Sequence, residues 1–131
     1  MTQEEKSLLL KDLSQRLLYG VKVTTTNPAV KIGIISGISI KNKISVETND
    51  ADIVFDCTEV KPYLRPLSSM TKEEYEELRK IDRYYGIAPL SEINDWEPGY
   101  KSIDWLLRHH FDYRNLIEKG LAIEAPEGIY N

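Results

Sequence analysis

Leucines at positions 9, 10, 13 and 17 recur at the three- and four-residue spacing of one helix face. Ahead of them, Thr2-Gln3-Glu4-Glu5 has the capping-box pattern, and Gly20 behind them is a natural stop. The spacing therefore predicts an N-terminal amphipathic helix. The period then drops to two. Val21 and Val23 alternate with Lys22 and Thr24, and Asn27-Pro28 breaks the chain. Val30, Ile32, Ile34, Ile38 and Ile40 follow, then Ile44, Val46 and Thr48, then Ile53, Phe55 and Cys57 after an Asn49-Asp50 turn. This predicts a small antiparallel meander of four to five strands, with the helix covering its apolar face. Ile34-Ile35 interrupts the alternation beside Gly33 and Gly37, which implies a bulge or kink there, or else a tight turn at Ser36-Gly37.

From Val60 the character changes. Pro62 and Pro66 bracket Tyr63-Leu64-Arg65 and argue against both a long helix and a central strand, so the stretch reads as an ordered connector. A second capping box, Thr71-Lys72-Glu73-Glu74, opens a helix whose face carries Tyr75, Leu78, Ile81 and Tyr85 and which ends at Gly86. Residues 87 to 101 read as a loop. Ser102 caps a helix through Ile103, Leu106 and Leu107, Tyr113 to Lys119 gives a short further one closed by Gly120, and Ala125 to Gly128 stays extended. One helix, a run of strands and then two to three C-terminal helices make the class α+β, with residues 1–131 as a single domain.

Composition agrees with a self-sufficient domain. A chain of 131 residues with 41% hydrophobic and 29% charged positions can bury one real core without a disulfide or metal staple. The lone Cys57 lies in a strand pattern and reads as a buried free thiol, which fits a cytoplasmic setting. Charges at Glu4, Glu5, Lys6, Lys11 and Asp12 break up the first leucine run, and no apolar run is long enough for a bilayer, so neither secretion nor a membrane partner is expected. The net charge of −4 conceals an asymmetry: residues 13 to 46 contain no Asp or Glu, whereas residues 50 to 131 hold 17 acids against 10 bases.

The chain has no Gly-rich phosphate loop, no paired-cysteine site and no nucleophile elbow, so no cofactor or metal is expected. Three regions remain as candidates. In Arg108-His109-His110-Phe111-Asp112-Tyr113-Arg114, a continuing helix would put His109 and Asp112 on one face, a spacing that suits a metal or a hydrolase. The competing reading places both histidines at a helix C-terminus and uses Asp112 as the next cap. Ten of the twelve aromatic residues fall between Tyr63 and Tyr130. Most suit a core, but Trp96 and Tyr100 flank Pro98-Gly99 in the loop and are candidate protein-binding anchors. Finally, if Val30, Ile32, Ile38 and Ile40 face inward, then Lys31, Lys41 and Lys43 face outward with Ser39 and Ser45. With Lys22 they form a candidate basic face for weak, salt-sensitive nucleic-acid binding, or simply a solvated, edge-protecting one.

Two stretches carry a resemblance: Val60-Lys61-Pro62-Tyr63-Leu64-Arg65-Pro66-Leu67-Ser68-Ser69-Met70-Thr71, and Ile103-Asp104-Trp105-Leu106 continuing through His109-His110-Phe111-Asp112-Tyr113-Arg114 to Gly120-Leu121-Ala122. Together with Glu5 to Leu13 and Glu124-Ala125-Pro126-Glu127-Gly128, they resemble an uncharacterised family of small proteins encoded in phages, prophages and mobile elements of gut anaerobic bacteria. Residues 21 to 56 match it least. The resemblance implies a genomic setting, and with it a small accessory factor that binds a phage or host protein, but no activity, cofactor or catalytic residue.

Overall fold

The computed structural model describes residues 1–39, 41–81 and 100–130; of Tyr100 it describes the backbone alone. Helix α1 (Gln3–Arg16) begins at the expected capping box: Thr2 N–H donates to Glu5 Oε1 at 2.9 Å and Glu5 N–H donates to Thr2 Oγ1 at 3.1 Å. A 3-10 turn at Leu17–Tyr19 extends it, and Gly20 ends it at φ +66°, a conformation glycine adopts at no steric cost. Leu9 and Leu13 are fully buried, with Leu10 and Leu17 packed beside them. The same face also buries Asp12 and Arg16 completely, which the leucine stripe does not reveal.

The sheet contains β1 (Lys22–Thr25), β2 (Gly33–Ile38), β3 (Lys43–Glu47), β4 (Asp52–Asp56) and β5 (Val60–Pro66) in the order β4-β3-β2-β1-β5, all antiparallel. Two short C-terminal strands, β6 (Phe111–Asp112) and β7 (Ile123–Glu124), add to β5 in parallel. The main core lies between α1 and the inner sheet face, where Leu9 and Leu13 meet Val21, Val23, Ile35, Ile44, Val46, Phe55 and Leu64, closed by Leu116 and Leu121. A second cluster joins α2 (Lys72–Ile81) to α3 (Tyr100–Arg108) through Met70, Leu78, Trp105, Leu106 and Phe111. Cys57 is a fully buried free thiol, and burial pushes its pKa up.

The α+β class and the N-terminal helix stand as the pattern implies, but six expectations need correction. Ser102 lies inside α3 and does not cap it, and the tail turns at Glu127 and Gly128, with Gly128 at φ +83°, instead of staying extended. The supposed connector is β5, the strand on which the C-terminal half assembles. Its prolines are tolerated because alternation turns their missing N–H groups away from the ladder to β1, and on the opposite edge β7 bonds through Leu64, between them. The sheet is mixed, not purely antiparallel, since β6 and β7 reach β5 after long crossovers. In β2 the inward residues are Gly33 and Ile35, while Ile32 is 50% and Ile34 38% exposed. The register shift between Ile35 and Gly37 is the anticipated bulge, and only beyond it does Ile38 return to the core face opposite Ile44. Tyr113 to Lys119 forms turns and no helix. Asn115 sits at φ +59°, and the Asp112 carboxylate takes the backbone N–H groups of Arg114, Leu116 and Ile117 at 3.0 to 3.3 Å, folding the chain back on itself.

Candidate functional site

A cleft of about 670 Å³ opens where the end of β5, the start of α2, the end of α3 and the C-terminal tail converge. Its first wall begins with Arg65, which grips Glu74 at both oxygens: Nη1 donates to Oε2 at 2.7 Å and Nη2 to Oε1 at 2.6 Å. Glu74 is held in place by the second capping box, where Oε1 accepts from Thr71 N–H at 3.0 Å. The Arg65 hydrogen bonds hold this carboxyl well below the usual carboxylate range, at about 2, against the opposing effect of burial. His109 Nδ1 lies 4.0 Å from Glu74, and its ring packs against Trp105 with centroids 4.2 Å apart. Arg108, exposed, completes this wall.

The opposite wall is the tail from Glu124 to Tyr130. Tyr130 anchors it. Its hydroxyl accepts from Lys22 N–H at 2.9 Å and donates to Tyr63 O at 2.6 Å, so it bridges β1 and β5 where their ladder ends at Val23 and Pro62. The Lys22 ammonium donates to Ile129 O, and burial pushes the Tyr130 phenol up to about 12. The Tyr130 ring stacks on His110 with centroids 3.6 Å apart and planes 9° off parallel. His110 sits at φ +64°. Its carbonyl accepts from Arg65 N–H at 2.7 Å, and its buried Nδ1 has no hydrogen-bond partner among the described residues. Burial first, then the nearby charges of Arg16, His109, Arg65 and Lys22, lower its pKa from 6.5 to about 4.

This arrangement fixes a pH dependence. Between pH 6.5 and about 4 the unfolded chain takes up a proton on His110 that the folded chain refuses, so stability falls as pH drops through that window. Glu74 acts lower: the stability from its Arg65 pair is complete above pH 4.5 and is lost as pH falls toward about 2. Thermal melts across this range should therefore fall in two stages. His110→Asn, an uncharged residue that tolerates the left-handed backbone, should flatten the upper stage and leave the lower one. An unchanged upper stage in that variant would show that the imidazole is not its source.

The sequence-derived candidates divide. His109 and His110 both line the cleft, whereas Asp112 is consumed by the turn that follows and lines a separate depression with Pro66 and Asn115. Trp96 lies outside the described residues, as does the side chain of Tyr100, whose backbone opens α3. The four lysines have different surroundings. Lys22 is tied to the tail, Lys43 pairs with Asp56 at 3.5 Å, and Lys31 and Lys41 are exposed in the segments before and after β2. Because paired strand residues share a face, Glu47, Asp52 and Asp56 stand on the outer sheet surface with Lys43. Arg65, Glu74 and Tyr130 were not singled out as site residues. The Thr71–Glu74 capping box marked the glutamate as a cap, and nothing local marked the other two.

Among the described residues, no group of three or more His, Cys, Asp or Glu side chains is placed to hold a metal, and no helix is long and apolar enough to cross a membrane. No family model, curated protein or solved structure matches the chain.

Proposed function

We propose that this chain is a non-enzymatic binding module whose cleft takes an extended segment of a partner protein. The observation that carries the reading is the charge layout of the cleft: Arg108 and His109 stand on one wall, Glu124 and Glu127 on the other, and the His110–Tyr130 stack joins the two. A polypeptide carrying an acid on one side and a base on the other meets both walls, and a volume of this size suits a few residues of chain. The groups best suited to chemistry are committed elsewhere. Glu74, at a pKa of about 2 and held by Arg65, is a poor general base near neutral pH. His110 is spent on stacking, and Asp112 on backbone N–H groups. The resemblance to small proteins of phages and mobile elements agrees with an accessory factor that binds a phage or host protein.

The test is a selection of displayed random peptides on the protein, counter-screened against the doubly charge-reversed Arg108→Glu, Glu127→Lys variant. Both positions are exposed, so the fold should survive. Selected peptides should bind the variant at least about tenfold more weakly, the scale of two lost interfacial charge contacts. Peptides that bind both proteins equally would move the binding surface away from the cleft.

A further inference from the structure

We propose that the outer edge of β4, at the far end of the sheet from the cleft, is a docking edge for an extended segment of another protein that carries lysine or arginine. Two hydrogen bonds fix which way the strand's backbone groups point. Thr48 N–H donates to Ala51 O at 3.1 Å and Cys57 N–H donates to Asn42 O at 2.9 Å, so Ala51, Ile53, Phe55 and Cys57 turn toward β3. Asp52, Val54 and Asp56 then turn outward by alternation. The Asp56 N–H is covered by the Glu59 carboxylate at 3.0 Å. The backbone groups of Asp52 and Val54 have no partner among the described residues, and the Val54 side chain is 62% exposed.

Edges of this kind are usually blunted by a lysine, a proline or a bulge. β4 has none of these: it pairs with β3 in unbroken register from Asp52 to Asp56. What it has is an aspartate at each end. A second copy pairing antiparallel about Val54 would set Asp52 opposite Asp56 twice, and like charges directly opposite destabilise a ladder. The same two carboxylates favour a foreign strand with the spacing cation, any residue, apolar residue, any residue, cation. The cations would face Asp52 and Asp56 and the apolar residue would face Val54. Asp56 is already shared with Lys43, whereas Asp52 has no ion pair among the described residues, so Asp52 is the stronger determinant.

The probe is the synthetic peptide Gly-Ser-Lys-Ile-Val-Ile-Lys-Ser-Gly, with a control in which both lysines are replaced by glutamate. Backbone amide NMR shifts are followed at low salt. The lysine peptide should shift the amides of Asp52 and Val54 and leave those lining the cleft unmoved. The glutamate control should bind at least about tenfold more weakly, because two favourable cross-strand pairs become repulsive. Val54→Pro removes the outward N–H together with the valine side chain and should abolish the shift of the Asp52 amide. Asp52→Lys, at an exposed position with no other role, should weaken the lysine peptide as much as the peptide's own charge reversal does. It should also turn the protein into a dimer in sedimentation, since the introduced lysine now faces Asp56 of the second copy. Absent shifts in β4, equal binding of the two peptides, or an Asp52→Lys variant that stays monomeric and keeps its affinity would each overturn the proposal.

Discussion

Asp12→Ala should lower unfolding stability by about 3–5 kcal/mol, the scale set by removing one partner of a buried ion pair. Asp12 and Arg16 are both fully buried on α1 and joined at 2.7 Å and 3.2 Å. Arg16 Nη2 also donates to Phe111 O at 2.7 Å, and Arg114 donates to Asp12 at 2.9 Å, so one carboxylate holds two guanidinium groups and ties α1 to the segment that carries β6. Without it, the Arg16 charge stays buried among core leucines with a single carbonyl for company. Arg16→Met should cost less, about 1–3 kcal/mol. Asp12 keeps Arg114, and the buried Arg16 Nη1, which has no partner among the described residues, is removed as well. Urea titrations of the two variants test the order. Equal losses would mean that the stranded charge is not the dominant cost. Since Phe111 follows His110 directly, the Asp12 variant should also loosen the cleft at His110.

The second large effect belongs to Gly33. A Cβ added there would lie 2.2 Å from Val46 Cγ1 and 3.3 Å from Glu47 O, well inside contact distance and toward a fully buried side chain. Gly33→Ala should therefore destabilise by about 2–3 kcal/mol, through overpacking between β2 and β3. The contact is specific, so it can be relieved. Val46→Ala costs stability on its own by leaving a cavity, but in the Gly33→Ala background that cavity receives the new methyl group. A double-mutant cycle should show the pair to be less damaging than the sum of the single losses by at least about 1 kcal/mol. Strict additivity would place the strain elsewhere.

The same glycine shows where reading by alternation fails. Parity assumes that the apolar side chain of an inward position fills the core. At Gly33 the position faces inward with no side chain, because Val46 from the neighbouring strand occupies the space. Counting by twos therefore puts Ile32 inward, where the structure leaves it half exposed. The glycines that bracket the bulge were legible; the direction of the side chains between them was not. The prolines of β5 misled for a related reason. Pro62 and Pro66 do lack a donor, but a strand needs only alternate N–H groups on each edge, and which edge is bonded at which residue depends on β1, β6 and β7, up to 60 residues away where Tyr63 pairs with Ile123.

Local chemistry decided what came out as expected. Both capping boxes act through contacts three residues apart, and Gly20 supplies its left-handed turn at the end of the first helix, so each is written into a few consecutive positions. The α1 stripe and the period-two runs of β3 and β4 belong to the same class. The cleft does not. Arg65 meets Glu74 across a turn, His110 meets Tyr130 across twenty residues, and Tyr130 bridges Lys22 and Tyr63 from 108 and 67 residues away. The sequence by itself determined the class, the starts of the first two helices and the free buried thiol, because each rests on periodicity or on short-range hydrogen bonds. Only the tertiary structure decided which histidines share a cleft, which acid is spent as a cap and which strand edge stays open. Those depend on where the chain returns to meet itself, and no local pattern encodes that meeting.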